Sequence, residues 1–485
     1  MQTEDITNTN KPTPYQYGNI WVFKGTEKHP ELHISRVDVQ RVAYELGFRL
    51  YQGDLYRILG MVLFPATERD FQDALTNYTE DRGDVFYKDL QNALDAYLQK
   101  NGKHTISRLP IIDKSCILKD TPTSSYKFFK NCWVQITPIE IFYREYKDFP
   151  SDKLILSTKI AQRDYNGCFE GKYLEFLKLA TNWKQNEENI KSIIGFLSHE
   201  YKDETTGYII VLTEQCPDPN DGGGSGKNVF CNLLSHTTTY HSKNGAQCKF
   251  DEKFFQSWNG QRIMCISDVP KNFPFAFLKE PSTGTFILKK LYKDEVEVPV
   301  EDGPKFMIQT NFSYEVSDGG LKRRIIPIEF TDFFTKAGGI DTYFGCHFPS
   351  GWSIEDWHNF DTIIINCIQT WLIALASKKK LEAADLTETG WEKQFENSYG
   401  HNLSEFIKDN KDEWIELSKI PAKDIQASLN NFYNSLDVAK TYRSSAQRVA
   451  SAIKEYFKHY GYKVETGVVL RDSLGLSIKH YVITN

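Results

Sequence analysis

The chain has 485 residues, enough for about three domains, each with its own core. Its 40% hydrophobic and 14% aromatic content excludes wholesale disorder, and nine cysteines without a Cys-x-x-Cys pair exclude a zinc framework or a disulfide scaffold. A net charge of −6 argues against a protein that coats nucleic acid over its whole surface, while leaving room for a locally basic channel.

Residues 1–18, rich in Thr, Asn and Pro, read as a disordered lead-in without the basic start and apolar run of a signal peptide. No apolar stretch approaches the roughly 18 residues of a membrane span, so a cytoplasmic protein with no membrane partner is expected. A strand over 19–23 opens an N-terminal α+β region, 19–170. It continues with a helix over 36–46, a hairpin over 48–59 turning at Gln52-Gly53-Asp54, a mostly helical stretch over 70–98, and a strand over 132–136. Apolar positions Leu174, Leu177, Ile190, Ile193, Ile194 and Leu197, mixed with charge, predict a helical collar over 171–200.

The apolar run 208–212 predicts a buried strand, followed by Asp221-Gly222-Gly223-Gly224-Ser225-Gly226-Lys227-Asn228 and a helix-like segment over 229–234. Strand, glycine turn, lysine and helix form a cradle for a nucleoside triphosphate. Glycines let backbone N–H groups crowd phosphate oxygens, the lysine neutralises charge, and the helix N-terminus adds its dipole. Asp221 stands where the first glycine of the usual pattern belongs. Asn228 replaces the hydroxyl residue that usually meets magnesium, and its amide oxygen is still a ligand for a hard cation. GGGSG also has linker composition, but a linker rarely sits between a buried strand and a helix.

Downstream, a second apolar strand over 262–267 ends at Asp268, a carboxylate that can hold Mg²⁺, although an aspartate ending a strand more often only caps the next turn. Its neighbours Ser267 and Val269 supply no second acid, which leaves the general base unassigned, with Glu280 as one residue that arrives from the next segment. Alternation after Lys289-Lys290-Leu291-Tyr292-Lys293 predicts a short hairpin. A third strand, 305–309, ends in Thr310-Asn311, and Asp318 with Arg323-Arg324 precede a closing strand over 325–330. Taken alone, the arginine pair also reads as an exposed basic turn. A strongly apolar helix through 363–372 closes this region, 201–385.

The last part, 400–485, predicts helices at 402–416 and 422–434 and a third helix capped by Ser444 or Ser445. Strands at 462–464 and 480–483 complete the order of a winged helix. Residues 440–479 carry eight Lys/Arg against three Asp/Glu, a net of +5. Arg443, Arg448, Lys454 and Lys458 are the candidates on a DNA-facing helix, and an ordinary basic face of a protein-interaction module is the alternative.

In its order, the lysine loop, Asp268, Thr310-Asn311, Asp318, Arg323-Arg324 and Phe330 resemble the superfamily III helicases, in their phage, plasmid and poxvirus-type primase-helicase branch. The resemblance is specific over about 190–335 and weaker toward both ends. It implies an α/β fold: an AAA+ P-loop ATPase core with an N-terminal α+β and collar region and a C-terminal winged helix. It implies an ATP- and Mg²⁺-dependent DNA helicase working as a homo-oligomeric ring, a hexamer, for replication of a virus, phage or mobile element, alongside a separate primase. In that picture residues 222–228 bind ATP, with Lys227 on the phosphates. Asn228 and Asp268 hold magnesium, Asn311 senses the γ-phosphate, and Arg323 or Arg324 acts on the neighbouring subunit's nucleotide. Lys289, Lys290 and Lys293 on the hairpin grip single-stranded DNA in the channel, and the winged helix meets duplex origin DNA. Two rivals stay open: an ATP-binding origin-recognition or loading protein with little turnover, and an AAA+ machine acting on protein.

Overall fold

The computed structural model describes residues 20–26, 29–81, 87–215, 223–251, 253–290, 294–312, 319–382, 388–471 and 476–484. Asp221, Gly222, Lys293 and Asp318 lie outside these residues, as does the 1–18 segment. The chain forms two compact units, Met1–Ile136 with Glu140–Tyr165, and Thr137–Ile139 with Asn166–Asn485.

The first unit is α+β. Strands Phe48–Tyr51, Asp54–Leu59 and Val62–Pro65 form an antiparallel meander to which Ile155–Leu156 adds in parallel. Ser125–Phe128, Trp133–Ile136 and Ile141–Arg144 make a second antiparallel sheet. Helix Arg36–Glu45 starts at Ser35, whose hydroxyl accepts from the Asp38 amide at 3.4 Å. Its buried face, Val39, Val42 and Ala43, joins Phe48, Phe71, Leu75, Leu90 and Leu94 in one core. The helical stretch expected over 70–98 is two helices, Glu68–Asp81 and Tyr87–Ile106.

In the second unit, a five-stranded sheet holds β1 (Ile209–Glu214), β2 (Tyr240–Asn244), β3 (Ile263–Ser267), β4 (Lys305–Gln309) and β5 (Ile325–Phe330). All pairs are parallel and the spatial order is β2-β3-β4-β1-β5. The four strands β1, β3, β4 and β5 are almost wholly buried, which is why they read as unbroken apolar runs.

Around this sheet lie α1 (Lys172–Ala180), α2 (Trp183–Ser198), α3 (Lys227–Leu234) and α4 (Ile354–Ala376). The segment predicted as a collar is α1 and α2, and α2 packs along α4. Gly195 permits this, because a Cβ there would collide with the Cys367 carbonyl. Buried Lys305 of β4 donates to the carbonyls of Phe196 (2.5 Å) and His199, which caps the C-terminal turn of α2. By length and apolarity α4 could cross a membrane, contrary to the sequence reading, but most of it is buried inside this unit, as a core helix is.

Between β3 and β4 the chain forms the predicted hairpin, Phe286–Leu288 against Val296–Val298. Buried Lys202 fastens its base, donating to the carbonyls of Pro281 at 3.0 Å and Pro304 at 2.7 Å. Burial, assisted by Arg262, pushes the Lys202 amine down from 10.5 to about 7. Between those two values the unfolded chain binds a proton that the folded chain does not. The contribution of Lys202 to stability therefore rises with pH through this window and is at its floor below pH 7. Lys202→Met is expected to flatten that rise, worth a few degrees of Tm in the wild type. Thermal melts of both proteins between pH 7 and 10 check this; parallel slopes would refute it.

The C-terminal part of this unit holds α5 (Glu388–Tyr399), α6 (His401–Leu417), β6 (Lys419–Pro421), α7 (Ala422–Ser435), α8 (Ala446–His459), β7 (Lys463–Arg471) and β8 (Ser477–Thr484). The sheet order is β6-β8-β7, all antiparallel. Leu403, Ile407, Leu429, Ile453 and Phe457 anchor its own core. Ser445 caps α8, accepting from the Arg448 amide at 3.3 Å.

Candidate functional site

A cavity of about 670 Å³ opens at the C-terminal ends of β1, β3 and β4. It is bounded by the glycine turn before α3 and by residues 338–342, the turn at Gly338-Gly339 and the start of the short helix Ile340–Phe344. The turn is shaped by Gly224 at φ 77° and Gly226 at φ 103°, conformations that favour glycine. At Gly226 a Cβ would also stand 2.9 Å from the Phe176 ring. Phe176 belongs to an aromatic cluster with Phe334 and Phe348, so packing behind the turn fixes where its backbone runs. Thr335 Oγ1 donates to the Gly223 carbonyl at 2.9 Å and holds the turn from outside. Gly226, Lys227, Asn228 and Val229, at the start of α3, line the cavity, so the positive end of the helix dipole lies beside it.

Lys227 is the first residue of α3, and its Nζ donates to Asn311 Oδ1 just beyond β4. The same ammonium lies 2.9 Å from Glu214 Oε2, with side-chain exposures of 11% and 3%. That carboxylate oxygen also accepts from Ser225 Oγ at 2.7 Å. Asn311 is positioned by its neighbour. Buried Thr310 takes its backbone N–H to the Leu212 carbonyl (3.1 Å) and its hydroxyl accepts from the Phe312 amide (3.1 Å), which anchors the end of β4 beside β1.

Asp268 follows β3 in a left-handed conformation, φ 50°, that turns its exposed carboxylate to the cavity rim. Asn244, at the end of β2, donates its amide to Asp268 Oδ2 at 3.1 Å. Exposed Asn228 lines the same cavity. Among the described residues no group of three or more His, Cys, Asp or Glu is arranged to hold a metal. A hard cation here would take Asp268 and Asn228, with its remaining ligands from water and the bound anion, as Mg²⁺ commonly does.

Lys227, Asn228, Asp268 and Asn311 thus share one cavity with Gly223, Gly224, Ser225 and Gly226. Arg323 and Arg324 do not reach it. They precede β5, which runs parallel to β1 with Ile325 opposite Ile209 and Phe330 opposite Glu214, so they stand at the far end of the sheet. Arg323 is exposed, and Arg324 is half-buried. Glu280, on the short helix Lys279–Thr283, is not among the cavity's lining residues.

Away from the cavity, Lys289 pairs with Glu295 at 2.8 Å across the hairpin, and Lys290 donates to Asn259 Oδ1 at 2.5 Å. Arg443 Nε donates to the Val438 carbonyl (3.0 Å) and its Nη2 to Asn434 Oδ1 (2.7 Å); Arg448 Nη2 reaches the Ser398 carbonyl at 3.1 Å. Both arginines brace the C-terminal fold. Exposed Lys454 and Lys458 share the outer face of α8 with Gln447 and Ser451, and Val449, Ile453 and Phe457 point inward.

Sequence reasoning did not select Glu214, Asn244 or Asp341. Asp341 lines the cavity and accepts from the Phe348 amide (2.9 Å) and His347 Nδ1 (2.8 Å), bonds that hold its carboxyl below the usual range. For Glu214 a signal was present, because it is an acid closing an apolar strand, as Asp268 is.

No family model matches this sequence, and no curated protein does. Among solved structures, an apo A form of the NrS-1 C-terminal region is 14% identical, covering 74% of this chain and 97% of that one, with a TM-score of 0.32. A second apo structure of that region is 12% identical over 74% and 96%, with a TM-score of 0.33. Likeness this slight settles neither fold nor function.

Proposed function

We propose that the second unit is an AAA+ P-loop ATPase that drives movement along DNA, as the resemblance to superfamily III helicases implies. The observation that carries this reading is the convergence of Lys227, Asn228, Asp268 and Asn311, distant in sequence, on one cavity at the C-terminal edge of a parallel sheet. Ligands of open α/β sheets bind at that edge. The ATP phosphates would lie on the turn 222–228 and the start of α3, with Lys227 supplying positive charge. Mg²⁺, held by Asp268 and Asn228, would neutralise charge on the terminal phosphates. Asn311, fixed by Thr310, would orient a water at the γ-phosphate, and Asn244 would hold Asp268 in place. Arg323 and Arg324, remote from their own cavity, suit a role on the next subunit's nucleotide in a ring, a hexamer by the resemblance. The hairpin carrying Lys289, Lys290 and Lys293 would meet single-stranded DNA, and α8 with the β7–β8 wing would meet duplex DNA through Lys454.

A second reading is an ATP-binding loader with little turnover. It is favoured by the lack of an acid adjoining Asp268 and by the pairing of Lys227 with Glu214. ATP turnover by the full chain with and without single-stranded DNA separates the two. Stimulation by DNA supports the motor, and binding without turnover supports the loader. Turnover indifferent to DNA would sink both in favour of a protein-directed machine.

A further inference from the structure

Glu214 has no place in the motif order, yet it sits at the centre of the site. One oxygen, Oε2, accepts from Ser225 Oγ at 2.7 Å and lies 2.9 Å from Lys227 Nζ. The residue thereby links the end of β1, the glycine turn and the first residue of α3. It is 3% exposed, so water screens its charge poorly.

We propose that Glu214 is a positioning residue that competes with nucleotide phosphate for Lys227 and so sets the affinity of the site. The inference rests on reading the cavity as an ATP site. Phosphates reaching the glycine turn meet a lysine already paired with a carboxylate, and they bring negative charge close to a buried negative charge. Both effects weaken binding relative to a lysine with no carboxylate partner of its own. Asn311, neutral, keeps the ammonium aimed at the cavity without this cost. A purely structural Glu214 has the opposite consequence. If its only work were to brace Ser225 and Lys227, weakening it would loosen the turn and lower affinity.

The sign of the change therefore decides. In the full chain with Mg²⁺, titrated with a fluorescent ATP analogue, Glu214→Gln keeps the shape and loses the charge. It is expected to lower Kd about tenfold. Glu214→Asp, which keeps the charge but withdraws it from Nζ, is expected to fall between the two and serves if the glutamine variant does not fold. In a Lys227→Ala background, Glu214→Gln is expected to lower Kd by clearly less than in the wild type, because only the repulsion remains once the lysine that both compete for is gone. Unchanged or weaker binding by folded Glu214→Gln overturns the proposal. So does unchanged affinity with a turnover loss of about 10² or more, which would make Glu214 a catalytic base. If neither wild type nor variant binds the nucleotide, the cavity reading itself fails and takes this inference with it.

Discussion

Lys227→Ala is expected to abolish ATP turnover, by at least about 10²–10³-fold, because it removes the one cation among the described residues that line the cavity. The structure attaches a second consequence to this substitution. Lys227 and Glu214 form a pair with side-chain exposures of 11% and 3%, so alanine leaves a buried carboxylate without that counter-charge. Breaking such a pair typically costs about 3–5 kcal/mol, so the variant should also melt earlier. The double variant Lys227→Met, Glu214→Gln separates the two effects. It should regain most of the lost stability, since no charge is stranded, and none of the turnover. Turnover assays with thermal melts on the three proteins check this. Recovery of turnover in the double variant would show that the lysine does not act on phosphate.

Arg323→Ala with Arg324→Ala is expected to leave ATP binding within about twofold of wild type and to cut turnover by about 10³-fold or more. The expectation follows from the sheet. β5 starts where β1 starts, and the cavity lies where both end, so these guanidiniums cannot serve their own nucleotide. Mixing supplies the sharper readout. Inactive Lys227→Ala chains still carry both arginines, and arginine-deficient chains still carry Lys227. Assemblies made from the two should recover part of the turnover that neither has alone. Mixtures as inactive as their components would remove the arginines from catalysis.

Much of the parallel-sheet core was legible in the sequence because the physics there is local. Strands buried on both faces are continuous apolar runs, and a glycine turn before a helix shows in its composition, so β1, β3, β4, β5 and α3 could be read directly. β2, Tyr-His-Ser-Lys-Asn, could not. It is an edge strand, partly exposed, and carries no apolar run. β6, Lys-Ile-Pro, is three residues long and acquires its strand character only from pairing with β8. The helices at 171–200 read as a collar because their apolar positions are visible and their partner is not. Only the fold shows α2 lying on α4, a helix more than 150 residues later. Asp268 and Asn311 were legible as residues ending apolar strands. Glu214 obeys the same rule, but its importance lies in meeting Ser225 and Lys227 across a loop, and no spacing encodes that contact. Arg443 and Arg448 stood out by charge, whereas their hydrogen bonds to Val438, Asn434 and Ser398 depend on the tertiary fold.

The most direct test of the central claim is a structure of the full chain with Mg²⁺ and a non-hydrolysable ATP analogue. The account predicts the triphosphate along the turn that ends at Lys227, the metal beside Asp268 and Asn228, and Asn311 facing the terminal phosphate. An analogue bound elsewhere, or a cavity that stays without it at saturating concentration, would contradict it.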